Sequence, residues 1–128
     1  MIISQHLFDE TTHVRIVADL EFDQVSSVAV LEAGLNACYG WHRNKLLMHV
    51  PHLGPIALLS KVILGFGMAD AYERIVADKA ERVCVAALGN TDLVTEVRPV
   101  EAEFQARGLP FRTFDNEPEA LSWLLMTD

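Results

Sequence analysis

Apolar and polar residues near the start of the chain alternate with the period of a half-buried β-strand. In residues 14–20 every second position is apolar, and most positions between carry charge. This period places successive side chains on opposite faces of a sheet. Residues 2–8 form a second candidate strand, and the polar turn 9–13 separates the two. We therefore expect an antiparallel hairpin at one edge of a sheet.

Helical spacing follows the hairpin. A stripe of apolar residues at intervals of three and four predicts a helix that is capped by Asp23, runs through Tyr39 and is closed by Gly40. The apolar run 46–50 then reads as a buried strand, followed by a Pro/Gly loop over residues 51–55.

A strongly apolar helix is expected to begin near Ile56. The residues that share one predicted face are Ile56, Leu59, Ile63 and Phe66. Glycine inside a helix costs about 1 kcal/mol relative to alanine. The sequence 65–67 contains two glycines, so it predicts either a break or two helices, the second near residues 69–80.

The second half of the chain continues the alternation of strands and helices. Residues 83–88 are apolar on both faces, as expected of a central strand. Asn90 or Thr91 can cap the next helix, which Pro99 should kink or restart. Arg107, Gly108 and Pro110 mark its end.

A short strand over residues 111–114 and a helix over 117–125, capped by Asn116 with Glu119 completing a capping box, close the chain. Four residues of that helix are expected to face inward: Ala120, Leu121, Leu124 and Leu125. The predicted fold class is α/β: one mixed, mainly parallel β-sheet of four to five strands, covered by four to five helices. Its 128 residues suit a single domain, 1–128.

Composition and charge restrict the function. An excess of 18 acidic over 10 basic residues gives a net charge of −8, which argues against binding to a nucleic-acid backbone or an anionic membrane.

The two cysteines, Cys38 and Cys84, lie in apolar segments and are expected to be reduced. The first ten residues lack the features of a signal peptide, and no apolar run is long enough to span a bilayer. We expect a cytoplasmic protein that is not an integral membrane protein.

Ligands of open α/β sheets bind beyond the carboxyl ends of the strands. This rule selects the loop after residue 50 and the turn after residue 88. The candidate ligand-binding residues there are His49, His52, Leu53, Gly54, Ile56, Leu59, Asn90 and Thr91. Free amides at the start of the helix near Ile56 would attract an anion. The alternative is that Gly54 and Pro55 only form the turn.

No reactive constellation is evident. Cys38, His42, His49 and His52 do not have the spacing of a zinc site, and Ser60 lacks a nucleophile frame. We expect neither a metal nor a cofactor.

The order of elements, with RVCVAALGN, a helix ending in RG, the strand PFRTFD and the tail NEPEALSWLL, resembles the STAS domain, particularly standalone bacterial SpoIIAA-like proteins. The resemblance covers residues 14–125. It implies a non-enzymatic regulatory module that binds a partner protein, a nucleotide or a lipid-like molecule. In partner-switching members an Asp-Ser pair at the start of the helix after the third strand is phosphorylated. This sequence has His52-Leu53-Gly54-Pro55 at that place, so the resemblance assigns no phosphorylated serine to this chain.

Our first hypothesis is therefore a STAS-like module that binds a partner protein or an apolar or anionic small molecule beside the loop 50–56. A groove lined by Leu53, Ile56, Leu59, Ile63 and Phe66 could accept an acyl chain, or the same residues could form core. The alternatives are an enzyme that uses histidines at the strand ends and a structural homodimer.

Overall fold

The computed structural model describes residues 2–20, 24–51, 58–79 and 81–126, which form one five-stranded sheet and five helices. Neighbouring strands follow chain order: β1 (Ile2–Asp9), β2 (Val14–Leu20), β3 (Lys45–His49), β4 (Cys84–Leu88) and β5 (Phe111–Phe114). β1 pairs antiparallel with β2, and the other neighbours pair in parallel. The predicted hairpin and the predicted mixed sheet are both confirmed.

The helices form two layers on this sheet. They are α1 (Gln24–Gly40), α2 (Leu58–Val76), α3 (Thr91–Glu96), α4 (Arg98–Ala106) and α5 (Glu117–Met126). α1, α2 and α4 share one apolar core with the strands, and α5 packs on β3, β4 and β5 from the opposite side. The sheet therefore has two buried faces in its parallel half.

Alternation along the strands assigns side chains to the two cores. All five residues of β4 are buried, which confirms its prediction as a central strand. Val85 and Ala87 belong to the core beneath α1 and α2, whereas Ala86 and Leu88 belong to the core beneath α5. The period of two along a strand produces this division.

Helix α1 includes Gly40, and its left-handed residue is His42, with φ of 57°, so the prediction that Gly40 closes the helix is wrong. The predicted cap Asp23 lies outside the described residues. The N–H of Arg43 donates to the carbonyl of Cys38 at 2.7 Å, and the N–H of His42 donates to that of Tyr39 at 3.3 Å. These two bonds are the Schellman arrangement, which usually has glycine at the left-handed position.

Helix α2 is continuous from Leu58 to Val76, so the predicted break at residues 65–67 and the separate helix at 69–80 are wrong. A Cβ atom on Gly65 would lie 3.3 Å from the carbonyl oxygen of Pro99 and 3.3 Å from Cα of Val100. Gly65 therefore allows α4 to approach α2 closely, and this packing offsets the low helix propensity of glycine.

The alternative that the predicted face of α2 forms core is also wrong where that face is described. Ile63 and Phe66 are exposed, and the buried residues are instead Leu64, Met68, Ala69, Ala71 and Tyr72. The hydroxyl of Tyr72 donates to the carbonyl of Val83 at 2.7 Å, and its ring meets Phe104 edge-on at 5.8 Å. Ile56 and the side chain of Leu59 lie outside the described part of the chain.

The last third of the chain follows the prediction closely. Pro99 occupies the first turn of α4, and Gly108 ends that helix with φ of 69°. Asn116 caps α5 by accepting the N–H of Glu119 at 3.1 Å. Leu125 is exposed rather than inward-facing, because α5 buries only Ala120 and Leu124 fully.

Cys38 and Cys84 are both buried, and they form no disulfide. Burial raises the pKa of the Cys38 thiol to about 12. Among the helices described, none is long and apolar enough to cross a membrane.

Candidate functional site

The predicted site residues that the structure describes lie at one end of the sheet. His49 is the last residue of β3, and it stands opposite Leu88 of β4 in the strand register. Asn90 and Thr91 follow β4, both are exposed, and Thr91 begins α3. The carboxyl ends of these neighbouring strands are thus brought together, as predicted. His52, Leu53, Gly54 and Ile56 lie outside the described residues, as does the side chain of Leu59.

The side chain of His49 is half-buried on the α5 side of the sheet. Its register partner in β2 is Val17, and the flanking Arg15 forms an ion pair with Glu117 of α5, Nη1 to Oε1 at 2.7 Å. Burial lowers the pKa of His49, as does the positive charge of Arg15, whereas Glu117 and Asp19 act in the opposite direction. His49 is therefore neutral at pH 7.

His13 is a second histidine in this region, for which the sequence predicted no role. It is only 6% exposed, and its Nδ1 lies 2.9 Å from the hydroxyl of Thr12. Among the residues that the structure describes, its Nε2 has no hydrogen-bond partner. Burial, followed by the charge of Arg15, lowers its pKa, while Glu10 and Glu117 oppose this. In the sequence, His13, Arg15, Val17 and Asp19 occupy every second position, and this period indicates that they share one face of the sheet.

The chemistry available in this polar region is that of ion pairs and neutral imidazoles. The charged neighbours that act on His49 are Arg15, Glu117 and Asp19, and Arg15 is held by Glu117. Within the described ranges, no group of three or more His, Cys, Asp or Glu side chains could hold a metal ion. The region supplies a pH-sensitive electrostatic cluster, and nothing in it identifies a nucleophile.

The first half of α2 carries an exposed apolar surface. Val62, Ile63 and Phe66 are 41%, 44% and 48% exposed. They lie at spacings of one, three and four along the helix, so they share its outer face. Farther along that face are the acidic, exposed Asp70 and Glu73. We call Val62, Ile63 and Phe66 the α2 patch.

Arg107 borders this patch and is held firmly. Its Nη1 donates to Asp70 at 2.7 Å and to Glu73 at 2.8 Å, and its Nε donates to Glu103 at 2.7 Å. These carboxylates raise the pKa of Arg107 further above its usual range. The guanidinium carbon lies 6.0 Å from the centre of the Phe66 ring. The α2 patch is therefore flanked by a fixed cation and two carboxylates.

Two surface cavities are formed elsewhere by residues that the structure describes. One, of about 520 Å³, is formed between β5 and α5, and its walls include Phe114, Trp123 and Met126. The other, of about 250 Å³, lies beside the end of α1 and includes Tyr39 and Lys79. The sequence did not predict either. The first depends on how α5 packs against β5, and the second joins the end of α1 to residues 79 and 81, which are distant in the chain.

No protein-family model matches the chain, and no curated protein matches it in sequence. Among solved structures, the chain is similar to the crystal structure of an anti-sigma factor antagonist from Mycobacterium paratuberculosis, with a TM-score of 0.58 and 12% identity. The similarity covers 97% of this chain and 94% of that one. At this identity it establishes the fold, and the predicted STAS/SpoIIAA-like fold is confirmed.

Proposed function

Starting from the fold that this chain shares with an anti-sigma factor antagonist, we propose that it is a regulatory module that binds a partner protein through the α2 patch. The observation that carries the proposal is the exposure of Val62, Ile63 and Phe66 on the outer face of α2. The proposed module turns over no substrate and works in the cytoplasm.

The physical argument concerns what these side chains gain from a partner. Full burial of a valine, isoleucine or phenylalanine side chain is worth about 1.5–3 kcal/mol. The three residues of the α2 patch are roughly half exposed, so roughly half of that gain remains for each. Contiguous apolar side chains with a polar rim are typical of protein-binding surfaces.

Phe66 is the residue we assign as the main anchor. Aromatic side chains dominate the energetics of interfaces, and rigid neighbours reduce the entropy lost on binding. Arg107 is fixed beside the ring by three carboxylates, so this rim carries net negative charge and favours a basic group of the partner. Asp70 and Glu73 would in turn disfavour an acidic segment farther along α2.

The proposed partner is a regulatory protein, by analogy with the anti-sigma factor antagonist named above. Phosphorylation is not part of the proposal, because the sequence has no Asp-Ser pair before the helix that corresponds to α2. The lipid-like or anionic ligand predicted beside residues 50–56 is the competing occupant of the same end of α2.

Affinity isolation followed by native mass spectrometry tests this proposal. Wild type, Phe66→Ser and the control Met126→Ser would be isolated from the cells that produce the protein. Met126 is exposed on α5, far along the chain from the α2 patch. We expect one protein to accompany wild type and Met126→Ser in a fixed ratio and to be lost with Phe66→Ser.

Two results would contradict the proposal. A partner that stays with Phe66→Ser as well as with wild type would place binding elsewhere on the surface. A small added mass that leaves on denaturation, with no protein bound, would favour the ligand carrier predicted as the alternative.

A further inference from the structure

We propose that a second copy of this chain pairs with the outer edge of β1, forming a two-fold symmetric dimer with a continuous ten-stranded sheet. The evidence is the composition, backbone orientation and symmetry of β1. The inference is independent of the partner proposed for the α2 patch.

The two edges of the sheet differ in how they are protected from pairing. Edge strands are usually kept short or are guarded by charged residues and proline. β5 follows this rule: it has four residues, Pro110 precedes it, Arg112 is exposed within it and Asp115 follows it. β1 has eight residues, and residues 2–8 include no charged residue and no proline.

Some backbone groups of β1 point away from β2, and no other described strand pairs with this edge. The N–H of Glu10 donates to the carbonyl of His13 at 2.9 Å, which fixes the phase of the ladder between β1 and β2. Hydrogen-bonded and non-bonded pairs alternate along an antiparallel ladder. The pairs Phe8–Arg15 and His6–Val17 are therefore bonded across the hairpin. Gln5 and Leu7 direct their N–H and C=O groups away from β2.

The order of residues in β1 is symmetric about Gln5. Residues 2–8 read as two apolar, three polar and uncharged, and two apolar residues: IISQHLF. A two-fold axis at Gln5 would place each Gln5 opposite its copy and Ser4 opposite His6. Leu7 and Phe8 would stand opposite positions 3 and 2 of the other chain. Apolar residues thus oppose apolar ones in both halves of the pairing, which is the self-complementarity that a two-fold interface requires.

Two exposed side chains support the same pairing. Leu7 is 37% exposed and lies opposite Ile16, on the α1 side of the sheet, while Phe8 is 47% exposed and lies opposite Arg15, on the α5 side. A second copy would cover both. The register of β1 shifts between Ile2 and Ser4, within the segment that would face Leu7 and Phe8 of the other copy. The strand is regular from Ser4 to Asp9, which includes the proposed axis.

A second copy fits this edge better than an unrelated strand. The chain has a net charge of −8, which opposes close approach of two copies over most of the surface. The edge formed by residues 2–8 carries none of that charge, so two copies can meet there without repulsion between side chains of like charge.

Sedimentation equilibrium across dilution, together with hydrogen exchange of the full chain, tests the proposal. We expect a species of twice 14.2 kDa that dissociates on dilution. The amides of Gln5 and Leu7 should be protected in that species and exchange freely after dissociation, because they point out of the monomer.

The test variant is Leu7→Lys, which places a charge on the edge beside each copy of position 3. We expect its dimer dissociation constant to rise at least about tenfold. Met126→Lys is the matched control at a distant exposed apolar residue and should dimerise as wild type does. If Leu7→Lys does not fold, Gln5→Lys serves the same purpose at the proposed axis.

The proposal is overturned if wild type is a monomer at every concentration. It is equally overturned if a dimer forms but the Gln5 and Leu7 amides remain unprotected, or if Leu7→Lys dimerises as strongly as wild type.

Discussion

At the scale of single residues, two helices end in the same hydrogen-bonded motif with different left-handed residues. In α4 the N–H of Leu109 donates to the carbonyl of Phe104 at 2.9 Å, and the left-handed residue is Gly108. In α1 the corresponding residue is His42. A side chain in the left-handed region is strained, whereas glycine is not. The sequence predicted the first ending because Gly108 marked it, and it misplaced the second because histidine gave no such signal.

His42→Gly should therefore stabilise the protein by about 0.5–1 kcal/mol, since strain at His42 outweighs the greater flexibility of glycine in the unfolded chain. The free energy of unfolding in urea measures this. Gly108→Ala is the converse variant and should be destabilising by about 1 kcal/mol or more. A destabilised His42→Gly variant would show that the imidazole has contacts that matter more than the backbone strain.

His13, which is buried, and His49, which is half-buried, make stability depend on pH. The pKa values of His13 and His49 are lowered from 6.5 in the folded state, mainly by burial. Below about pH 6.5 the unfolded chain binds protons that the folded chain does not, so stability falls as the pH decreases. The loss ends once the pH lies below the folded pKa values.

We expect the urea midpoint to be lower at about pH 5.5 than at about pH 7.5, a window in which carboxylates remain ionised. His49→Gln should reduce this difference. Stability that rises as the solution is acidified would mean that Glu10, Asp19 and Glu117 favour the charged imidazoles more than burial disfavours them.

At the scale of elements, helix α2 shows what spacing can and cannot determine. Two interleaved sets of apolar residues both have helical spacing, one containing Ile63 and Phe66 and the other Leu64, Met68 and Tyr72. A helix that is apolar nearly all round does not indicate which face is buried. Gly65 marks the buried face, because it lies where α4 approaches α2. The sequence interpretation treated this glycine only as a residue that interrupts helices.

Alanine variants on opposite faces of α2 test this assignment. Leu64→Ala should lower the free energy of unfolding by about 2–5 kcal/mol, because it removes a buried side chain. Phe66→Ala should cost about 1 kcal/mol or less, since it loses only the contact with Arg107 and partial burial. Equal losses measured in the same urea titration would place both residues in the core.

The elements that were predicted well are those with independent boundary signals. Pro99, Gly108 and Asn116 each fixed a helix end by backbone geometry or side-chain capping. The β2 strand was marked by its period of two. By contrast, α5 was assigned an inward Leu125 because nothing in its sequence shows how far the sheet extends beneath it.

At the scale of the whole molecule, the sheet organises the proposed surfaces. β1 forms one edge, and α2 lies between α1 and α4 over one face, so the proposed dimer edge and the α2 patch are separate. The order of the elements was predictable from the sequence, since strands alternating with helices imply a mainly parallel sheet. The candidate site was predictable only in part: His49, Asn90 and Thr91 lie at or just after the carboxyl ends of neighbouring strands. The α2 patch depends on which helix face the tertiary packing leaves uncovered.

The most direct test of partner binding at the α2 patch is site-specific photo-crosslinking in the cells that produce the protein. A benzophenone amino acid would replace Phe66 in one variant and the more exposed Met126 of α5 in a control. We predict that position 66 crosslinks to one protein of defined mass and that position 126 does not. Crosslinks of equal yield at both positions, or none at position 66 while a partner still co-purifies, would contradict the assignment of the α2 patch as the binding surface.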